Sequence, residues 1–263
     1  MARVIAIANQ KGGVGKTTTA INLSASLAAN EFSVLLVDMD PQGNSTSGLG
    51  IGKQQDLLTM YEVLTERASL SDVLVSVQPD GIKVAPADKN LVAANIDLVA
   101  SDHREYHLRN ALADVRDQFD FILIDCPPAL DLLTVNSLVA ADSVLIPIQC
   151  EFFALEGISQ LIDTIDRLRE SLQPSLCIEG ILLTMFDERT NLTRQVSSDL
   201  KDFFQGEVFQ TVIPRSIRLA EAPSFGKTIL SYDPRSKGAE SYIQLAKEIV
   251  ANGQRRRQSQ SAG

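Results

Sequence analysis

Val4-Ile5-Ala6-Ile7-Ala8-Asn9-Gln10-Lys11-Gly12-Gly13-Val14-Gly15-Lys16-Thr17-Thr18 contains, in order, an unbroken apolar run, a loop of glycines and lysines, and the first turn of a helical pattern. The run Val4–Ala8 shows no alternation, which predicts a strand covered on both faces. Thr17–Ala29 has helical spacing, with Ala20, Leu23, Ala25, Leu27 and Ala28 on or near one face. A glycine loop between a strand and a helix is a place to hold phosphate. Gly12, Gly13 and Gly15 can adopt backbone angles closed to other residues. Successive N–H groups of Lys11–Thr18, Val14 included, can then converge as an anion nest. The helix start adds free N–H groups and the positive end of its dipole.

The loop departs from the general G-x-x-x-x-G-K-[ST] pattern by one residue, because Gln10 stands where the first glycine belongs. Lys16 has the reach for β- and γ-phosphates. The Thr17 hydroxyl can ligate Mg²⁺, and Thr18 N–H can approach an α-phosphate. Lys11 is not needed for the phosphates of its own loop. It could fold back, reach the phosphates of a neighbouring subunit, or sit in solvent.

Further along, apolar runs at Val34–Val37, Phe121–Ile124, Ser143–Ile148 and Ile178–Met185 read as strands. Helical patterns at His103–Val115, Leu155–Leu168, Leu192–Phe204 and Ala239–Val250 separate them. Repeated βαβ units predict an α/β fold: one doubly wound domain over residues 1–252, with a mostly parallel central sheet flanked by helices. Residues 41–52 read as a loop, 53–100 as a less regular part of the same domain, and 253–263 as a disordered basic tail. Ligands in such sheets sit at the carboxyl ends of strands. Asn9–Lys16, Asp38–Asp40 and Asp125–Pro128 all follow strands, so the polar chemistry gathers on one rim.

Asp125 ends the strand Phe121–Ile124, the place for an acid that holds Mg²⁺ through water; a turn cap is the alternative. Asp38 and Asp40 lie two apart and, on an extended segment, point the same way. One could orient the metal shell and the other could position or deprotonate a water. Two turn-forming aspartates before Pro41 would read the same.

The chain has 263 residues, 44 % of them hydrophobic and 22 % charged, an ordinary globular balance. A net charge of −9 argues against an overall basic coat but not against a local basic patch. Cys126, Cys150 and Cys177 form no C-x-x-C pair, so neither a disulfide framework nor a protein-owned metal site is expected. The N-terminal apolar run is too short for a signal sequence, and no stretch reaches the ~18 apolar residues of a membrane span. The expectation is a cytoplasmic chain.

Lys-Gly-Gly-Val-Gly-Lys-Thr-Thr at 11–18 resembles the deviant Walker A motif of the SIMIBI-class P-loop ATPases. Val-Asp-Met-Asp-Pro-Gln-Gly-Asn at 37–44, Asp-Cys-Pro-Pro at 125–128 and Ile-Pro-Arg-Ser-Ile-Arg-Leu-Ala-Glu-Ala-Pro-Ser-Phe-Gly-Lys at 213–227 resemble the ParA/Soj branch, the chromosome and plasmid partition ATPases. The resemblance spans Arg3 to about Val250. It implies ATP and Mg²⁺ as ligands and a sandwich homodimer with two nucleotides in its interface. Lys11 matches the lysine that crosses to the partner's phosphates, Lys16 and Thr17 the phosphate and Mg²⁺ residues, Asp40 the acid needed for hydrolysis, and Asp125 the Walker B acid. Pro214 and Ser216 match the segment lining the adenine, although the family often has Asn where Ser216 stands. The resemblance further implies a dimer that binds double-stranded DNA without sequence preference, a nucleoid location, and a ParB-type centromere-binding partner that stimulates hydrolysis and release.

Between Thr184 and Lys237 basic residues are interleaved with acids. Arg189, Arg218 and Lys227 are the candidates for DNA phosphates, and Arg255–Arg257 is a further basic run. The last ten residues lack the bulky apolar face of a membrane-binding helix, which argues against a MinD-like protein. Cys126 lacks the companion motif of a cluster-bearing relative, and the tail has no tyrosines for a kinase of this superfamily. A scaffold that uses ATP only structurally, or an ATPase that positions another cargo (organelle, chemoreceptor array, division site), are the competing readings. The start at Met1, with no helix-turn-helix before Val4, fits a chromosomal or small plasmid version.

Overall fold

The computed structural model describes residues 1–52, 57–151 and 154–261. Seven strands form one sheet: β1 Arg3–Ile7, β2 Val34–Asp38, β3 Val75–Val77, β4 Ile82–Ala85, β5 Phe121–Asp125, β6 Ser143–Gln149 and β7 Cys177–Thr184. Their spatial order is β3-β4-β2-β5-β1-β6-β7. Only the β3–β4 pair is antiparallel. The central strands are in register, with Ile7 and Asp38 each opposite Asp125. The ends of β1, β2 and β5 therefore deliver the phosphate loop and the acids to one rim.

The helices are α1 Lys16–Ala28, α2 Asn44–Gly48, α3 Met60–Leu64, α4 Leu70–Val73, α5 Ala94–Asp97, α6 His107–Ala113, α7 Leu132–Ala140, α8 Ala154–Ser171, α9 Asn191–Phe203, α10 Ile217–Glu221, α11 Ile229–Tyr232 and α12 Lys237–Ser261. Period-two geometry divides the strand residues between two cores. Ile5, Ile7, Leu36 and Leu123 pack with α1 and α12, while Val4, Ala6, Val37, Ile122 and Ile124 pack with α3, α6, α7 and α8. The first layer is sealed by Tyr242 of α12, whose hydroxyl lies 3.2 Å from the Thr19 hydroxyl of α1.

Four local expectations differ from the structure. The irregular stretch 53–100 contributes β3 and β4 to the sheet; each is too short to show a period, and a Gln78-Pro79-Asp80-Gly81 turn separates them. The 41–52 loop contains α2, one turn of helix. The helix expected from His103 starts at His107, because His103 takes a left-handed backbone conformation, φ 54°. Residues 253–261, expected as a disordered tail, continue α12. Extending an anchored helix fixes one residue per bond gained, and Gln and Arg are good helix formers. The Arg256 and Arg257 side chains lie outside the described residues.

Gly180 in β7 leaves room for the Phe209 ring, which a Cβ there would meet at 2.6 Å. Gly180→Val is expected to lower unfolding stability by about 1–3 kcal/mol through overpacking, read by urea denaturation; an unchanged midpoint would show that the ring yields freely.

Candidate functional site

The phosphate loop is fixed from both sides. Asn9, buried after β1, donates to the Pro147 carbonyl at 2.7 Å and accepts from Lys11 N–H at 2.9 Å. Thr184 at the end of β7 donates to the carbonyls of Val14, 2.8 Å, and Ile148, 3.1 Å. Gly13 and Gly15 adopt φ 76° and 87°, values that only glycine takes without strain, and a Cβ on Gly12 or Gly13 would meet nothing within 4 Å. That open concavity, floored by backbone N–H groups at the start of α1, has the form of an anion cradle.

A cavity of about 580 Å³ opens above it. Of the expected residues it gathers Gly12, Gly13, Gly15, Lys16, Thr17, Thr18, Asp40, Pro214 and Ser216. The far wall is apolar: Met185, Ile213, Leu219 and Ala220 join Pro214 and the edge of Tyr242. Apart from Pro214, sequence reading missed these wall residues, and also Gln42, Asn44, Thr184 and Arg215. Thr184, Met185 and Tyr242 lie outside every motif quoted above, and the others lie inside motifs 37–44 and 213–227 without a role assigned to them; the bridge between Phe186 and Pro214, with Ile213 N–H donating to the Leu183 carbonyl, brings the end of β7 beside residues 213–216.

Lys16 is buried, and its ammonium donates to the Lys11 carbonyl at 3.2 Å. Burial lowers its pKa, opposed by the nearby Asp125, Cys126 and Asp40. Val14 is buried and contributes backbone only. Lys11 does not line the cavity. Its ammonium pairs with the Glu151 carboxylate, just after β6.

The two aspartates of β2 and its exit part company. Asp38 is fully buried, and its carboxylate accepts from Thr46 N–H, the Thr46 hydroxyl (2.7 Å) and Asp40 N–H. It anchors the 40–48 segment and does not face the cavity. The expectation that both acids point the same way fails because β2 ends at Asp38. The backbone then turns, with Gly43 N–H donating to the Asp40 carbonyl. Asp40 alone reaches the cavity.

Asp125 lies beneath the cradle, fully buried. Its Oδ2 accepts from the Ser45 hydroxyl at 2.8 Å, and its Oδ1 makes no hydrogen bond. Burial, reinforced by the Asp38 charge, pushes its pKa up to about 7, against the Ser45 and Thr17 hydroxyls that favour the ionised form. Burial likewise raises Asp38 to about 6, opposed by its bonds to Thr46 and Asp40. A buried carboxylate oxygen without a partner, close to a threonine hydroxyl and an anion cradle, suits a hard divalent cation shared with phosphate oxygens.

The DNA candidates lie on the surface beyond the apolar wall. Arg189 forms a two-pronged pair with Asp187, and Arg218 pairs with Glu221 and, more loosely, Asp233. Lys227 is exposed. Arg215 N–H donates to the Phe186 carbonyl, which sets Arg215 near the Asp187–Arg189 turn. Among the described residues no helix is long and apolar enough to cross a membrane.

A family model described as "AAA domain" matches residues 2–178. The chain is 53 % identical over 253 residues to the sporulation initiation inhibitor protein Soj of Bacillus subtilis, covering 96 % of this chain and 100 % of that one. It is 53 % identical over 248 residues to the chromosome partitioning protein ParA of Myxococcus xanthus, covering 94 % and 88 %. Among solved structures it resembles a Mycobacterium smegmatis protein titled cobyrinic acid a,c-diamide synthase, solved with ADP and magnesium and with an ATP analogue and magnesium. The TM-score is 0.85 at 37 % identity, over 97 % of this chain and 96 % of that one.

The raised carboxylates set a pH dependence. Folded Asp38 and Asp125 hold protons that an unfolded chain releases near 3.8, so the contribution of these two acids to stability is greatest at low pH and falls as pH rises from about 4 through 7. Asp125→Asn removes that penalty and keeps an acceptor for Ser45. In EDTA at pH 8 its melting temperature should exceed the wild type's by about 2–4 °C, for ~1 kcal/mol, with the gap closing near pH 4. A variant that melts lower at pH 8 contradicts the assignment.

Proposed function

The chain belongs to the Soj/ParA family of partition ATPases, and from that premise we propose that it is a nucleotide-driven DNA switch, monomeric without ATP and a DNA-bound sandwich dimer with it. It is an ATPase, and its ligands are ATP and Mg²⁺. The observation that supports the reading is the buried, unpartnered Oδ1 of Asp125, whose carboxyl lies beside the Thr17 hydroxyl at the start of α1 and suits a cation carried in with a triphosphate.

In this reading the N–H groups of Gly12–Thr18 hold the phosphates, and Lys16 neutralises the β- and γ-oxygens at the loop's floor. Thr17 and Asp125 would hold the magnesium. When bound, the ion withdraws charge from the phosphate oxygens. The adenine lies against Pro214, Ile213 and Leu219, with Ser216 at its edge. Asp40 orients the attacking water and takes its proton. Lys11 leaves Glu151 and crosses to the partner's phosphates, so the dimer is complete only with a triphosphate in place. Arg189, Arg218 and Lys227, with Arg215 beside them, meet DNA phosphates. Duplication in the dimer converts a weak patch into a useful one, which accommodates DNA binding by a chain of net charge −9. A ParB-type partner stimulates hydrolysis and returns the monomer. This places the protein in the cytoplasm, on the nucleoid.

Co-sedimentation with plasmid DNA should occur with Mg-ATP and not with ADP or without nucleotide. Lys16→Ala should weaken ATP binding by about 10–100-fold, the loss of a charged hydrogen-bonding partner. Asp40→Ala should cut hydrolysis by about 100-fold or more while leaving an ATP dimer trapped on DNA; hydrolysis at the wild-type rate removes Asp40 from the chemistry. Arg218→Glu should weaken DNA binding about tenfold and flatten its salt dependence by about one to two charges, with the ATP dimer intact. Equal loss of dimer and DNA binding would make Arg218 an assembly residue instead.

A further inference from the structure

Asp40 stands on a stretch that cannot hold itself. Residues 40–48 include no strand, and their one helical element, α2, is a single turn. The neighbours hold the stretch instead, and Thr46 is the centre of the attachment. Its backbone N–H and its hydroxyl both donate to Asp38 Oδ2, at 2.9 and 2.7 Å. The same hydroxyl accepts from Ala87 N–H, just after β4, at 2.9 Å. Asp38 Oδ1 accepts from Asp40 N–H at 3.1 Å, so one carboxylate grips the segment at both ends. Next to Thr46, the Ser45 hydroxyl donates to Asp125 Oδ2 at 2.8 Å. Two adjacent hydroxyls therefore meet two acids that lie opposite each other in register on β2 and β5. Between the grips the turn is close-fitting. Gly43 has φ 61°, and a Cβ there would stand 2.7 Å from the Ala87 carbonyl oxygen. Gln42 N–H donates to Asp40 Oδ1 at 2.9 Å, which orients the carboxylate itself.

We propose, resting on the role given above to Asp40, that Thr46 is a positioning residue for ATP hydrolysis: its hydroxyl, clamped between Asp38 and Ala87 N–H, fixes the turn that presents Asp40 to the nucleotide. Three observations support a role beyond packing. Asp40, Gln42 and Asn44 line the nucleotide cavity, while Ser45 and Thr46 are buried and are not among its lining residues. Thr46 thus acts on the segment from behind, without touching the ligand. Its hydroxyl is fully used, donating once to a carboxylate and accepting once from backbone, and a satisfied buried network of this kind rigidifies what it joins. The Ser45 bond sets the same segment against the metal-site acid, so Asp40 and Asp125 are held in one frame. Placement matters here because a misfit of about 1 Å at a reacting group can cost about 100-fold in rate.

The test compares Thr46→Val, which keeps the shape and removes the hydroxyl, with Thr46→Ser, which keeps the hydroxyl, in the full chain. In the nucleotide-free protein, Thr46→Val should speed hydrogen exchange over residues 39–49 about tenfold, the worth of one charge-assisted hydrogen bond, with residues 9–18 unchanged. At saturating Mg-ATP, well below the melting temperature, its kcat should fall at least about tenfold, while affinity for a fluorescent ATP analogue stays within about twofold. Thr46→Ser should recover both exchange and kcat to within about threefold of the wild type. A Thr46→Val that exchanges faster yet keeps the wild-type kcat makes the hydroxyl merely structural and overturns the proposal. So does a Thr46→Ser as slow as Thr46→Val, or a Thr46→Val that loses nucleotide affinity as much as kcat. Should Thr46→Val not fold, Thr46→Cys, of similar size and with only a weak hydrogen-bonding group, takes its place; a wild-type kcat there overturns the assignment equally. Asp40→Ala run alongside separates the two readings. If it hydrolyses at the wild-type rate, the role of Asp40 falls and Thr46 with it; if it is slow while Thr46→Val is fast, Thr46 alone falls.

Discussion

Two carboxylates enter the dry interior side by side. Asp38 and Asp125 stand opposite each other on neighbouring parallel strands, both without solvent exposure. Burying a charge is costly unless it is paired and hydrogen-bonded, and two like charges in register double the problem. The chain resolves it asymmetrically. Asp38 receives three hydrogen bonds, two of them from Thr46, and so becomes the clasp of the 40–48 segment. Asp125 accepts from Ser45 of the same segment and has the Thr17 hydroxyl beside it, yet its Oδ1 stays without a partner. Both acids are thereby tied to the stretch that carries Asp40. Any cation that satisfies Asp125 acts on the loop that would orient the attacking water.

The surrounding structure follows from this arrangement. Ala87 N–H donates to the Thr46 hydroxyl, so β4 braces the clasp from the sheet. This gives the short strands of the 53–100 region a purpose that their apolar pattern does not announce. On the other side Asn9 and Thr184 hold the phosphate loop to β6 and β7. The cradle and the acids are therefore mounted on rigid strand ends, and the adjustable parts are the lysines. The exposed Lys11–Glu151 pair belongs to a class worth about 0–1 kcal/mol, too weak to lock Lys11 in place against a triphosphate. Lys16, by contrast, is buried and loses its solvation before any phosphate arrives, which suits it to bind anionic oxygens strongly.

Net charge and local charge serve different ends. The chain as a whole is acidic, yet Arg215 lines the cavity near the Asp187–Arg189 turn, and Arg218 and Lys227 are exposed on the segment that follows. Arg189 and Arg218 are each already paired with an acid, which moderates the patch in a single copy. The helical run at 89–100 is the opposite case, where carboxylates flank exposed aliphatics. Basic residues and exposed aliphatics thus sit on different elements of an acidic chain.

The sequence by itself determined the sheet's central strands, the phosphate loop and the acid that ends β5. Each is a contiguous pattern whose physics is local: an apolar run for a strand covered on both faces, glycines where the backbone must turn left-handed, a carboxylate at a strand end. Residues Pro214 and Ser216 were reachable only through family resemblance, and their cavity partners Met185 and Tyr242 not at all, because no local period records which distant loops meet. Tertiary structure alone decided that Asp38 turns inward while Asp40 faces the cavity, since the two-residue parity of a strand ends where the strand ends. It also decided that Lys11 rests on Glu151, 140 residues away. The same holds for the exposed Val92, Ile96 and Val99 of the helical run at 89–100: hydrophobicity shows in sequence, but whether a side chain is covered depends on what the rest of the fold places against it.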